Sequence, residues 1–328
     1  MKLYTYVKHH GTYPSILKFR FIRVSILSNR IFPADTPCPL LLILFFCTIA
    51  SGCAFVLVED QLVSAKAGEQ VTRVDGSCGE TFPVREAKGA AAAPAELAPD
   101  SIAVLDWNIY KEQRLGWMDD FLRFSRGKDI IFLQEASLSD ELLELLQREK
   151  LYWNLNSGFK YKGVETGVLV ASRIDSLESC GLRYKEPVVG LPKTILINRY
   201  AIAGSAEELV VANVHGINIT LGLDAYRAQF KALGDLLKNH SGPLIIGGDF
   251  NNWNDKRTAV IDLLVEDLSL TSMPFENGGR ATFFGEPVDH ILYRGLDPVS
   301  HMVHPVASSD HNPISVTFRL AQKMDSLQ

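Results

Sequence analysis

Between residues 101 and 320 the chain alternates two hydrophobic patterns. Short, nearly unbroken apolar runs occur at SIAVLDWNIY (101–110), DIIFLQEA (129–136), TGVLVASR (166–173), ELVVANVHGIN (208–218), PLIIGGDF (243–250), VDHILYRG (288–295) and PISVTFRL (313–320). Their length and their Val, Ile and Leu content predict buried strands. Between them, GWMDDFLRFSR (116–126), LSDELLELLQREK (138–150), LDAYRAQFKALGDLLKNH (223–240) and RTAVIDLLVED (257–267) place apolar residues at helical spacing. A Ser or Asp opens the second of these helices, and the third ends before Ser241-Gly242. Buried strands separated by amphipathic helices predict sheets covered by helices, an α/β layered domain.

Polar residues stand at the borders of the strand runs. Asn108 closes the first, Glu135 follows IIFLQ, and His215 follows VVANV with Asn213 two positions before it. Asp249 and Asn251 follow PLIIGG, Asp289 precedes HILYRG, and Asp310 and His311 precede PISVTF. Each has an ordinary reading by itself: Glu135 at a helix start, His215 as a core histidine, Asp289 and GGDFN as turn residues. Six such borders together are hard to explain as turn chemistry, because a buried charge is costly unless paired or bound to metal. In GGDFN the extended spacing aims Asp249 and Asn251 to one side. Gly247 and Gly248 are read as a sharp bend that admits a close approach.

Composition adds limits. The chain has 328 residues, 47% hydrophobic and 22% charged, with formal net charge -5. That is ordinary globular composition, and it argues against a surface that grips nucleic acid everywhere. The N-terminus differs: residues 1–37 carry six Lys and Arg with no acid before Asp35, and LLLILFFCTIASGCAFVLV (40–58) has no charge. That run has bilayer-crossing length, and its basic flank predicts a cytoplasmic N-terminus with the remainder outside. Alternatively, IASGC resembles a bacterial lipoprotein signal, with Cys53 lipidated. Both readings anchor the domain to a membrane outside the cytoplasm; a start assigned too far upstream would leave it cytoplasmic. The expected division is 1–59 basic region and anchor, 60–99 low-complexity linker, 100–322 folded domain and 323–328 tail. Cys78 and Cys180 lie beyond the anchor. Two free thiols is the reading taken, with a disulfide in an oxidising compartment as the alternative.

The motifs WN (107–108), QE (134–135), TG (166–167), NVH (213–215), GGDFN (247–251), VDHI (288–291) and SDHNP (309–313) give residues 100–320 a resemblance to the endonuclease/exonuclease/phosphatase family. WNIYK (107–111) and LYRGL (292–296) resemble an uncharacterised bacterial branch of it. The resemblance implies a four-layer α/β/β/α sandwich of two packed mixed sheets, the deoxyribonuclease-I-like fold. It implies a hydrolase of phosphodiesters or phosphomonoesters that uses Mg²⁺, with Mn²⁺ as an alternative. On this resemblance Glu135 is the main metal ligand, with Asn108 beside it and Asp310 as a further ligand. Asp249 orients or deprotonates the attacking water, and Asn251 holds the phosphate. His311 contacts the scissile phosphate, Asp310 or Asp289 orients an imidazole, and His215 is a second site histidine. Tyr110 departs from the acidic residue that some nucleases of the family carry there, which puts a second metal in doubt. DNA, RNA, phospholipid and small phosphoesters all remain candidate substrates for an expected monomer. Lys160, Lys162, Arg183, Lys185, Lys256 and Arg257, with Trp153 and Trp253, are the candidates for following a nucleic acid. His290, His301 and His304 are expected to be structural or surface groups. The competing class is a non-catalytic binding or scaffold module on the same fold.

Overall fold

The computed structural model describes residues 55–58, 61–66, 68–79, 95–275 and 278–322. The strands are β1 (Phe55–Leu57), β2 (Gln61–Ala65), β3 (Thr72–Asp75), β4 (Ile102–Asn108), β5 (Ile130–Ser137), β6 (Tyr152–Tyr161), β7 (Val164–Ser172), β8 (Glu178–Lys185) and β9 (Pro192–Ala201). They continue with β10 (Glu208–His215), β11 (Leu244–Asp249), β12 (Thr271–Ser272), β13 (Thr282–Phe283), β14 (Glu286–Pro287), β15 (Asp289–Arg294), β16 (Leu296–Val303) and β17 (Ile314–Leu320). The helices are α1 (Trp117–Ser125), α2 (Asp140–Arg148), α3 (Asp224–Leu237) and α4 (Asp255–Asp267). Every strand and helix expected after residue 100 is present. Ser139 caps α2 by accepting from the Leu142 N–H, and Asn254 caps α4 by accepting from the Arg257 N–H.

One sheet runs β16-β17-β4-β5-β7-β6-β2-β3, with β1 also paired to β6; the other runs β12-β15-β11-β10-β9-β8. Both are mixed. The β4–β5 and β10–β11 pairs are parallel, while the other pairs are antiparallel. A parallel pair needs a crossover, and α1 and α3 supply one each. Apolar residues of the two facing surfaces, among them Val104, Phe132, Val211, Ile245, Ile291 and Val316, form the central core. Trp107, Leu133, Phe121 and Leu145 fill the space under α1 and α2, while Val210, Ile246, Phe230 and Leu264 fill that under α3 and α4. The four-layer α/β/β/α sandwich follows.

Two expectations about the N-terminal part are corrected and a third is narrowed. Residues 60–99 are not linker throughout: β2 and β3 extend the first sheet, and Leu97 exchanges backbone hydrogen bonds with Ala201 and Ala203. The Ala-rich residues 80–94, residues 1–54 and the tail 323–328 lie outside the described residues. Of the apolar run 40–58, the described end is strand rather than helix, since Phe55–Leu57 pair with Phe159–Tyr161. Among the described residues no helix is long and apolar enough to cross a membrane. Finally, Cys78 and Cys180 are not free thiols but a disulfide. Backbone hydrogen bonds of Cys78 and Gly76 with Gly181 hold the two segments side by side, which brings the sulfurs together.

The disulfide spans a sequence separation of 102 residues. Cys180→Ser, or reduction, is expected to lower the unfolding free energy by about 2–5 kcal/mol. Urea denaturation with and without reductant measures this; coincident curves would show that the bridge carries no stability.

Candidate active site

The facing surfaces of the two sheets change character at one end. Alternate residues of a strand share a face. Along β4 the inward series is Ile102, Val104, Asp106, Asn108; along β5 it is Ile130, Phe132, Gln134. Along β10 it is Leu209, Val211, Asn213, His215, and along β11 it is Ile245, Gly247, Asp249. Strand β15 runs the other way and enters with Asp289 before Ile291 and Tyr293. The same alternation that builds the core therefore delivers a polar cluster at the carboxyl ends of both parallel pairs.

Backbone detail sharpens the aim. Between Leu133 and Ala136 the register of β5 on β7 shifts, so Gln134 and Glu135 oppose a single residue, Val168. This bulge turns Glu135 through a left-handed φ of 53°. Asn251 also has a left-handed φ, 52°. For a glutamate this conformation is strained, whereas Asn adopts it more readily, and strained positions cluster at functional sites. The Gly247-Gly248 pair, in contrast, is not the expected bend. It remains inside β11, where a Cβ on Gly247 would meet the Phe132 ring at 2.9 Å and one on Gly248 would meet the Val214 carbonyl at 2.0 Å. Close strand and sheet packing demands the glycines.

The cluster is continuous. Asp289 accepts from His311 Nδ1 with both oxygens, at 2.8 and 3.0 Å. His311 Nε2 lies 3.9 Å from Asp249 Oδ2. That same Asp249 oxygen accepts from Asn108 Nδ2 at 3.1 Å, and Oδ1 accepts the Asn251 N–H at 3.1 Å. His215 Nε2 stands 3.6 Å from Asp249 Oδ2 and 3.9 Å from Glu135 Oε1. Lys193 donates to His215 Nε2 at 2.6 Å, and Lys111 pairs with Glu135 Oε2. Trp107 donates to the His311 carbonyl at 3.0 Å, and Ser309 bridges the Asn108 carbonyl and the His311 N–H, fixing the last loop to β4.

The environment separates the proton affinities. Burial raises the Asp249 carboxyl to about 6, against the pull of His311. Burial would lower His311, but the charge and hydrogen bond of Asp289, then Asp249 and Asp310, raise it to about 10. Burial, then Lys193, Lys111 and His311, hold His215 well below the usual histidine range. Burial opposes ionisation of Glu135, yet Lys193 and Lys111 bring it below the usual range.

The structure brings together Asn108, Glu135, His215, Asp249, Asn251, Asp289 and His311. It does not bring in Asp310, which is exposed and reaches only Ser309 Oγ at 3.4 Å. Its place as orienting residue is corrected: Asp289 holds the His311 ring, while Asp310 adds only its charge. His215, the second site histidine, is a neutral acceptor for Lys193. Arg257 and Trp153, expected as possible surface contacts, are buried. His290 is structural, bonded to Asn252 and the Pro287 carbonyl. Asp106, Gln134, Lys111 and Lys193 were missed. Lys193 carried the border signal, standing before the apolar ILI of β9, but that strand alternates with polar residues and went unread.

Oxygen donors from Glu135 and Asn108 suit a hard divalent cation, which needs only one or two carboxylates with waters. Glu135 is the fitting floor of such a site because its side chain remains 18% exposed and Oε1 stands 3.9 Å from His215 Nε2, beyond hydrogen-bond distance. Among the described residues no three carboxylate, His or Cys side chains converge as a closed metal cage. An open, single-carboxylate position fits the donors present.

The architecture is thus a deoxyribonuclease-I-like sandwich carrying an open, acid-and-base-bearing site at its strand ends. The profile of the Endonuclease/Exonuclease/phosphatase family matches residues 107–311, and the chain belongs to that family. A UPF0294 protein of Vibrio parahaemolyticus is 37% identical over 218 residues, which are 66% of this chain and 77% of that protein. An endonuclease/exonuclease/phosphatase from Bacteroides vulgatus superposes with a TM-score of 0.54 at 16% identity, covering 67% of this chain and 99% of that one. The human Nocturnin catalytic domain, solved with bound sulfate, gives 0.52 at 16% identity, covering 69% and 97%. These likenesses show the fold.

Because folded His311 keeps its proton to about pH 10 against 6.5 ordinarily, its contribution to stability is complete below 6.5 and is lost as pH rises through 10. Asp289→Asn is expected to lower the His311 pKa by roughly 1–3 pH units and to flatten that loss. NMR titration of the His311 ring decides it; an unchanged pKa would remove Asp289 from the role.

Proposed function

We propose that the chain is a divalent-metal-dependent phosphoesterase. The observation that supports this best is the pairing, 3.9 Å apart, of a carboxylate raised to about 6 with an imidazolium kept to about 10. Titratable neighbours whose proton affinities are driven apart are the signature of an acid and a base at work.

Asp249, ionised above about pH 6, accepts the proton of the attacking water and orients its oxygen at phosphorus. His311 donates Nε2–H to a phosphate oxygen, and Asp289 keeps that proton in place. Lys193 is fixed by neutral His215 and faces the same region as a second positive donor. Asn251 steadies the phosphate with the N–H not occupied by the Gly216 carbonyl. Glu135 and Asn108 would hold the cation, which when bound would supply Lewis-acid stabilisation of charge on the phosphoryl oxygens. The proton of the water and the charge on the phosphate are thus met by separate groups.

The disulfide supports the reading that the domain lies in an oxidising compartment outside the cytoplasm.

Hydrolysis of bis(p-nitrophenyl) phosphate and p-nitrophenyl phosphate, with Mg²⁺ or chelator, tests the proposal. Asp249→Asn should lower kcat about 10²–10⁴-fold, and Glu135→Gln should raise the Mg²⁺ concentration needed. Activity should rise through pH 6 as Asp249 ionises and fall through pH 10 as His311 loses its proton. Wild-type turnover in folded Asp249→Asn, or full activity in chelator, would defeat the proposal.

A further inference from the structure

Four loops emerge at the site end of the sandwich, and each exposes large apolar side chains. The first leaves β4 after Asn108 and carries Leu115, 98% exposed. The β8–β9 turn, which leads to Lys193, exposes Val189. The loop after His215 carries Leu221, 96% exposed. The β13–β14 hairpin, two residues before Asp289, exposes Phe283 and Phe284. Resting on the phosphoesterase reading above, we propose that this ring of loop tips docks on a lipid bilayer and presents a phospholipid headgroup ester to the site.

The hairpin tip carries the inference furthest. Phe284 and Gly285 form a two-residue turn with φ values of 53° and 91°. Asn or Gly fills the first position of such a turn readily, whereas an aromatic side chain there is strained. Phe284 is also 80% exposed. Local stability favours neither its backbone nor its exposure, so a binding role accounts for both. The tip is backed by a built surface. Trp253 lies 5.7 Å from the Phe284 ring and 6.1 Å from the Phe283 ring. Its Nε1 donates to Asn218, and the Arg257 guanidinium lies 4.5 Å beneath it. Arg257 also donates to the carbonyls of Ile217, Asn218 and Asn251. Glu186 accepts the N–H groups of Asn218 and Ile219, joining the Val189 turn to the Leu221 loop.

Chemistry selects the occupant. Leu115, Val189 and Leu221 have no planar face for a base and no charge for a phosphate chain, so they oppose a nucleic-acid track. Arg257 is buried on three carbonyls and is absent from any such track. At the strand ends from which these loops leave stand Lys111, Lys193 and His311. A bilayer offers the complement of that arrangement: an anionic phosphate at the interface, surrounded by apolar chain region that loop tips can enter.

The test uses the full chain, so the N-terminal apolar run is common to all variants. Trp253 is the one of the four tryptophans, Trp107, Trp117, Trp153 and Trp253, that is not buried. Vesicles of phosphatidylethanolamine and phosphatidylglycerol with brominated acyl chains should quench its emission, and Trp253→Phe should abolish the quenching. The triple change Leu221→Ser, Phe283→Ser, Phe284→Ser should lower hydrolysis of vesicle phospholipid at least tenfold while leaving bis(p-nitrophenyl) phosphate turnover unchanged. Absent quenching, equal losses on both substrates, or loss confined to plasmid DNA cleavage would overturn the proposal. Quenching without hydrolysis of any ester would overturn the phosphoesterase reading on which the substrate depends, and leave the docking supported.

Discussion

The site depends on a hydrogen-bonded tie, next to the polar cluster, between two sheets whose central contact is apolar. Apolar burial is strong but has no direction. Asn213, on the second sheet, donates to the Leu133 and Leu169 carbonyls of the first at 3.0 and 2.9 Å. Gln134 answers from the first sheet, donating to Asn213 at 2.7 Å and to Asp106 at 2.6 Å. All three side chains are buried, so a misaligned tie would leave polar groups unpaired at about 1–3 kcal/mol each. That penalty fixes the registration that atoms 3–4 Å apart, contributed by different sheets, require. Burial also pushes Asp106 well above the usual carboxylate range, so it joins the tie without adding a third buried anion beside Asp249 and Asp289.

Beyond the tie, charge is matched group by group. Glu135 meets Lys111, Asp289 meets His311, and Asp249 lies between His311 and His215 with Lys193 behind. The paired charges make the burial tolerable, since removing either partner strands the other in a low dielectric. They also mean that an incoming phosphate meets cations already held in place rather than recruited from solvent.

Much of this was visible in the chain. The near-continuous runs in β4, β5, β10 and β11 identify themselves because parallel strands between layers are apolar on both faces. Their terminal Asn108, Glu135, His215 and Asp249 then stand out as interruptions. β6, reading YWNLNSGFKY, and the exposed β16 follow no such rule, and their partners rather than their own pattern make them strands. The short β1–β3 arm was hidden for the same reason, as was Lys193 in β9. Asp310 misled because its neighbour His311 does belong to the site. Adjacent residues in a loop share sequence motif but not direction. Gly247 and Gly248 misled differently: a glycine pair looks alike whether it bends a chain or admits a neighbouring strand.

The β5 bulge has a consequence for how such a protein changes over generations. One extra residue between Leu133 and Ala136 is what turns Glu135 toward the cluster. Loss of a single codon there would restore uninterrupted pairing with β7 and relieve a left-handed glutamate. The residues beyond it would keep their partners, since Ala136 already faces Gly167, but no carboxylate would be aimed at the cluster from this strand. Selection for a sturdier sheet and selection for a working site therefore pull this segment in opposite directions. A lineage released from the second would drift by deletion toward a well-folded, inert shell.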